Sequence, residues 1–327
     1  MREAAFVKQN KDKWLEFERE LGTKSSIPPK KISELYLEVT DDLSFAQTYY
    51  PESNTAIYLN DLAAQAHQKI YTTKKESGNF LWKFYAEDFP RMFYQFQRQL
   101  LLSFIIFAVF VTVGAFSASS DASFVRAILG DAYVNMTLEN IEKNDPMAVY
   151  KQMGELDMFL GITINNIRVA LMAFTLGILA GIGTAFVLMQ NAIMLGSFQY
   201  FFYQNGMLWE SARTIWIHGT IEISVIIIAG SAGLVVGKSI LFPQTFTRLT
   251  SFIQGVKNGL KIVISTIPFF IVAGFLEGFV TRLTWMPDWL AILIISVSLL
   301  SILFYYVYYP IYLNKKENLN AKQLHSV

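Results

Sequence analysis

His218 and Glu222 stand four residues apart in an apolar run. On a helix, positions i and i+4 share a face, so an imidazole and a carboxylate point the same way one turn apart. Glu277 and Arg282 close another apolar run, and Asn165, Asn166 and Arg168 open a third. Ionisable groups at membrane depth are costly and mark functional positions by default. Three chemistries are open to such a set. One imidazole with one or two carboxylates is a thin ligand set for a divalent metal. The zinc-protease helix motif needs two histidines on one helix and is absent, because His67 and His325 lie outside the apolar runs. Arg168 and Arg282 could hold an anionic or zwitterionic headgroup or solute. Alternatively the groups satisfy one another in a charge-paired knot that fixes helix register. No catalytic residue, metal or cofactor is assigned. No Ser-His-Asp arrangement and no phosphate-binding glycine loop is visible.

These residues need membrane-crossing helices to hold them. The 327 residues are 53% hydrophobic and 16% charged, with a mean hydropathy of +0.34. A soluble chain is usually about a quarter charged, so charges are too few to coat a water-facing surface. A net charge of +1 gives no global basic field for nucleic acid. The absence of cysteine excludes disulfides and thiolate metal sites. The chain opens on charged residues, so no cleavable leader is expected and the first apolar run serves as insertion signal.

A spanning helix needs about 20 mostly apolar residues. Runs at 100–117, 167–189, 215–241 and 262–280 qualify, and 289–313 ends in the aromatic belt of Phe304, Tyr305, Tyr306, Tyr308 and Tyr309. The run 192–208 carries Gln199, Gln204 and Asn205 and is either a sixth span or a re-entrant segment. Charge asymmetry favours the span. The loop 119–164 has three basic and seven acidic residues, whereas 238–261 has four basic and none acidic, and the tail carries Lys315, Lys316 and Lys322. Only six crossings put both basic segments on the cytoplasmic side with the N-terminal region. The polar groups then gather near the outer leaflet, below Trp209, Glu210 and Arg213. Pro268 is expected to kink its helix and free a carbonyl.

Residues 1–98 hold 14 of the 27 Lys and Arg. Helical spacing of Phe6, Trp14, Phe17 and Leu21, then Gly22, then breaks at Pro28-Pro29 and Tyr50-Pro51 predict a soluble helical domain. Its last segment, 80–99, is rich in aromatics. It reads either as an interfacial amphipathic helix or as an aromatic core on the preceding helices. The expected fold class is all-α: a polytopic helical membrane protein of about six spans, one re-entrant in the alternative reading. The domains are 1–98, cytoplasmic and helical; 99–315, transmembrane with outer loop 119–164; and 316–327, a polar cytoplasmic tail.

The stretch His218-Gly219-Thr220-Ile221-Glu222, followed by Ala229-Gly230-Ser231-Ala232-Gly233 and Gly237, resembles the stage II sporulation protein M family of integral membrane proteins. Asn165-Asn166-Ile167-Arg168 with Gly177 and Gly181-Ile182-Gly183-Thr184, and the lead-in Phe89-Pro90-Arg91, are similar to its other landmarks. The resemblance implies a membrane scaffold that places envelope partners, in a bacterial cytoplasmic (inner) membrane with both termini inside. Expected partners are membrane lipids, other membrane or envelope proteins, and in one reading a second copy, but no nucleic acid. A transporter or lipid-binding role for a polar intramembrane pocket, and a metal-dependent intramembrane hydrolase, are the alternatives.

Overall fold

The computed structural model describes residues 2–22, 29–71, 80–143, 154–281, 283 and 286–324. Among the described residues the chain is helical and has no strand. It divides into two compact units, Met1–Asn79 and Phe80–Val327.

The first unit contains α1 (Glu3–Gly22), α2 (Pro29–Tyr49) and α3 (Asn54–Tyr71). Phe6, Trp14 and Phe17 lie on one face of α1 and bury against Ile32, Val39 and Ala46 of α2 and Leu59, Leu62 and Ala66 of α3. The Trp14 indole donates to the Asp42 carboxylate at 2.8 Å, and Lys13 pairs with the same carboxylate at 2.6 Å. The buried N–H is thereby satisfied. α1 ends at Gly22 as expected, and Pro51 lies between α2 and α3.

The second unit has six helices long and apolar enough to cross a membrane: α4 (Phe80–Ser120), α7 (Leu156–Ile178), α8 (Ile182–Gln204), α9 (Leu208–Leu241), α10 (Arg248–Val280) and α11 (Asp288–Leu319). Two short helices, α5 (Ala122–Leu129) and α6 (Asp131–Glu142), lie in the segment after α4. Exposed Leu101, Phe104, Ile105, Phe116, Leu171 and Val297 give the bundle the apolar outer surface that lipid requires. α9 touches all five other spans. In its most apolar stretch 78% of residues are buried, against 17% in α4.

Two expectations are corrected. The run 167–189 is not one span. It contains a tight turn at Leu179–Gly181, with φ of 53° at Ala180 and 83° at Gly181. The expected span splits between α7 and α8, and the segment 192–208 divides into the second half of an unbroken α8, ending at Gln204, and the turn that leads to α9 at Leu208. Leu-Ala-Gly is apolar, so hydropathy reads straight through the turn. The loop 119–164 also shortens, because α7 already begins at Leu156. The count of six survives. The segment from Phe80 onward belongs to the second unit. It runs continuously into the first span, and Phe89 and Phe93 are fully buried in the bundle core beside Tyr306.

α7 and α9 run parallel with their backbones in contact. A Cβ at Gly177 would strike the backbone of Gly233, and one at Gly237 would strike Ala180 and Gly181. Small residues permit this approach.

Three prolines lie inside α4, α10 and α11, and each deprives the carbonyl four residues earlier of its usual donor. All three carbonyls are taken by a side chain from another span. The Tyr309 hydroxyl donates to Ala86 O at 2.8 Å (for Pro90), Tyr85 to Ile264 O at 3.0 Å (for Pro268), and the Gln97 amide to Tyr306 O at 2.8 Å (for Pro310). The carbonyl freed by Pro268 is thus bonded to Tyr85.

Tyr309→Phe is expected to destabilise the bundle by about 1–3 kcal/mol, the cost of stranding a carbonyl. Gly177→Ala should cost a similar ~1–3 kcal/mol by overpacking against backbone. At Gly219 an added Cβ meets only side-chain methyls at ordinary contact distance, Ile215 Cγ2 at 3.6 Å and Ile223 Cδ1 at 4.0 Å, so Gly219→Ala should leave stability unchanged. Thermal unfolding in mild detergent reads all three.

Candidate functional site

Buried polar groups converge where α7, α9 and the end of α10 meet. α9 brings His218 and Glu222 on one face, as their spacing requires. α7 contributes Asn166, whose amide donates to Glu222 Oε1 at 2.6 Å. Asn166 pairs with Glu222 and Gly177 meets Gly233, so both contacts keep the same numerical offset, and one parallel register sets them together. α10 ends in a wide π-turn, Leu276–Val280, which carries Glu277 into the bundle. Such turns inside helices are frequent at functional sites.

His218 is 4% exposed and Glu277 7%. The imidazole Nε2 lies 3.7 Å from Glu277 Oε1. Its Nδ1 lies 3.0 Å from the Thr281 hydroxyl, which itself donates to Leu276 O at 3.1 Å. A hydroxyl has one proton to give. With that proton on Leu276 O, Thr281 accepts from Nδ1–H, and the imidazole turns its Nε2 toward the carboxylate. Glu277 Oε2 is buried with no hydrogen-bond partner among the described residues, and so is Thr163 Oγ1 on α7.

A cavity of about 400 Å³ opens beside this cluster, lined in part by Asn165, Asn166, Asn191, His218 and Glu222. Tyr133 of α6, with Ile128 and Leu129 of α5, forms part of its wall. At one end of the bundle the half-buried Arg213 guanidinium pairs with Asp288 at 2.6 Å, and Trp209 donates to the same carboxylate at 3.3 Å. Glu222 lies nine residues further along α9, about 14 Å at 1.5 Å per residue, and about 24 Å short of Lys238. The cluster is thus well inside the apolar layer rather than at its mouth.

The structure brings together His218, Glu222, Asn166 and Glu277, with Asn165 at the cavity wall. It does not bring in Arg168, whose side chain is exposed on a different groove with Ile164, Ile167, Leu171, Met172 and Thr175. Arg282 lies outside the described residues. Thr281, Thr163 and Asn191 were not expected. Nothing in their type or spacing distinguishes them from ordinary helix and loop residues; the π-turn places Thr281, the helix α7 Thr163 and the helix α8 Asn191.

The sequence profile of the family described as stage II sporulation protein M matches residues 103–282, more than half of the chain. The chain belongs to this family. The match to the sporulation protein M family takes in α7 to α10 and hence the whole polar cluster. A second profile, described as a domain of unknown function, matches residues 4–72, which fall within the first unit. The chain is also similar to an uncharacterized protein of Methanocaldococcus jannaschii, 27% identical over 157 residues, or 47% of this chain and 68% of that protein. No solved structure matches.

Asn166→Leu is expected to destabilise the bundle by about 1–3 kcal/mol, because the half-buried Glu222 loses its donor. Adding Glu222→Met should restore most of that loss, since removing both partners can be nearly neutral. Thermal unfolding of the two single variants and the double variant measures the coupling. Simple additivity would mean that the contact contributes nothing.

Proposed function

We propose that this chain is a non-enzymatic scaffold or assembly factor of the cytoplasmic (inner) membrane, built to pair with other membrane or envelope proteins. One observation carries the reading. Arg168 lies twelve residues after Leu156 and ten before Ile178, about 18 Å and 15 Å from the two ends of its span. Its side chain is exposed on an apolar groove and makes no hydrogen bond or ion pair to any described residue. A guanidinium at mid-span costs about 3 kcal/mol even on the mildest insertion scale. A membrane helix from a partner, presenting a carboxylate or free carbonyls, would remove that cost. A second copy of this chain is the homomeric version. The lysine and arginine distribution supports cytoplasmic termini. The helical unit Met1–Asn79 would then meet cytoplasmic partners, and α5 and α6 envelope ones.

A photoreactive residue at Met172, in the same groove, tests this in native membranes. One protein adduct should dominate and fall by about tenfold or more in Arg168→Leu, the equivalent of losing ~1.4 kcal/mol. Arg168→Lys should retain part of it. Lipid adducts alone, unchanged in Arg168→Leu, would sink the assembly reading.

A second reading, a transporter or lipid-binding role, is favoured by the cavity of about 400 Å³ beside His218 and Glu222, a size suited to a small ligand. α8 is unbroken, which argues against a discontinuous-helix transport site there. Gly219 lines the cavity with space beside it. Gly219→Leu should displace a co-purifying lipid or solute seen by native mass spectrometry, without loss of fold. A wild type that carries nothing would count against the pocket.

A further inference from the structure

We propose that His218, Glu222 and Glu277 form a site for one divalent first-row cation of the zinc kind, linking α9 to the π-turn that ends α10. The site names an occupant at the back of the cavity and so rests on the pocket reading for its access; the assembly reading through Arg168 is independent of it.

One ligand atom from each of the three residues lies within 4.8 Å of the others. Tetrahedral bonds of about 2.0–2.2 Å to a zinc-like ion put two ligand atoms about 3.3–3.6 Å apart. Rotation of the two carboxylates must therefore draw the set inward by about 1 Å when the ion binds. Glu277 supplies the independent sign of a missing ligand. It is more than nine-tenths buried, and its Oε2 has no partner among the described residues. Such an atom is expensive unless something binds it.

Charge points the same way. Glu222 and Glu277 converge in a low-dielectric layer, and no described Lys or Arg pairs with either. A dication held by two carboxylates and a neutral imidazole leaves the site with no net charge. The surrounding groups hold these three as outer partners hold metal ligands. Thr281 accepts a hydrogen bond from the Nδ1–H of His218, which leaves Nε2 toward Glu277, and Asn166 donates to Glu222. One nitrogen and several oxygens suit zinc, manganese or ferrous iron. The imidazole argues against magnesium and calcium, and the lack of thiolate against cuprous copper.

The test uses the full chain in detergent, stripped with chelator and titrated with Zn²⁺ alone. Equilibrium dialysis with elemental analysis should find one saturable ion per chain. Glu277→Gln and His218→Gln should each weaken it by at least about 100-fold, and Thr281→Val by about 10–100-fold, as loss of an outer partner does. Co²⁺ in the wild type should give a visible absorption band that the two ligand variants lose, while Thr281→Val, which keeps all three ligands, guards against a folding defect. No saturable zinc in the wild type overturns the site, and so does equal binding in all variants, the signature of a surface ion. Wild type that binds no zinc but still loses a co-purified lipid in Gly219→Leu removes the metal and keeps the pocket. If Gly219→Leu displaces nothing and zinc still binds, the lipid reading fails and the metal stands.

Discussion

α9 touches five other spans, and a helix so enclosed has little room for large side chains on every face. Lipid tails are as apolar as leucine, so the hydrophobic effect does not hold spans together; close packing must. The stretch Ala229-Gly230-Ser231-Ala232-Gly233, with Gly237, meets that requirement. It lets the backbone of α7 lie directly on α9 near Gly177 and draws α10 in beside it. That contact fixes the parallel register, and the register puts Asn166 beside Glu222. The polar cluster therefore depends on glycine contacts about two to four turns away from it.

A second constraint comes from prolines. In hydrocarbon a freed carbonyl has no water to turn to. Here Pro90, Pro268 and Pro310 all lie near the junction of α4, α10 and α11, and Tyr309, Tyr85 and Gln97 bind the carbonyls they expose. α4 and α11 complete each other's backbone hydrogen bonding, and α4 completes that of α10. The aromatic richness of 80–99 and 304–309 has this origin. The rings form a core between spans, and two of the phenols donate to stranded carbonyls.

Much of this was legible in the sequence. The number of spans followed from apolar length and the parity of basic loops, and the helical first unit from its periodicity and breaks. His218 and Glu222 were placed on one face by spacing alone. The failures have physical causes. Hydropathy registers polarity, so an apolar turn such as Leu179–Gly181 is invisible to it. Asn166 and Arg168 were grouped by proximity, but two residues apart on a helix differ by about 200° around the axis, and they face different neighbours. Which of the two faces inward depends on the α7–α9 contact, which no local pattern encodes. Glu277 was noticed as a charge in an apolar run. Its entry into the cluster depends on a π-turn, a local departure from regular helix that composition does not announce.

The turn between α7 and α8 has a consequence for biosynthesis. Their mean hydropathies are 1.5 and 1.2, the lowest of the six spans, against 2.0 to 2.5 for the others. Each is a weak stop or start signal for the translocation machinery, and α7 carries a mid-span arginine. Three residues cannot reach across a bilayer, so neither helix can settle at full depth while the other remains in water. The two must enter the membrane as one antiparallel hairpin, with the apolar face of α8 helping to carry the arginine in.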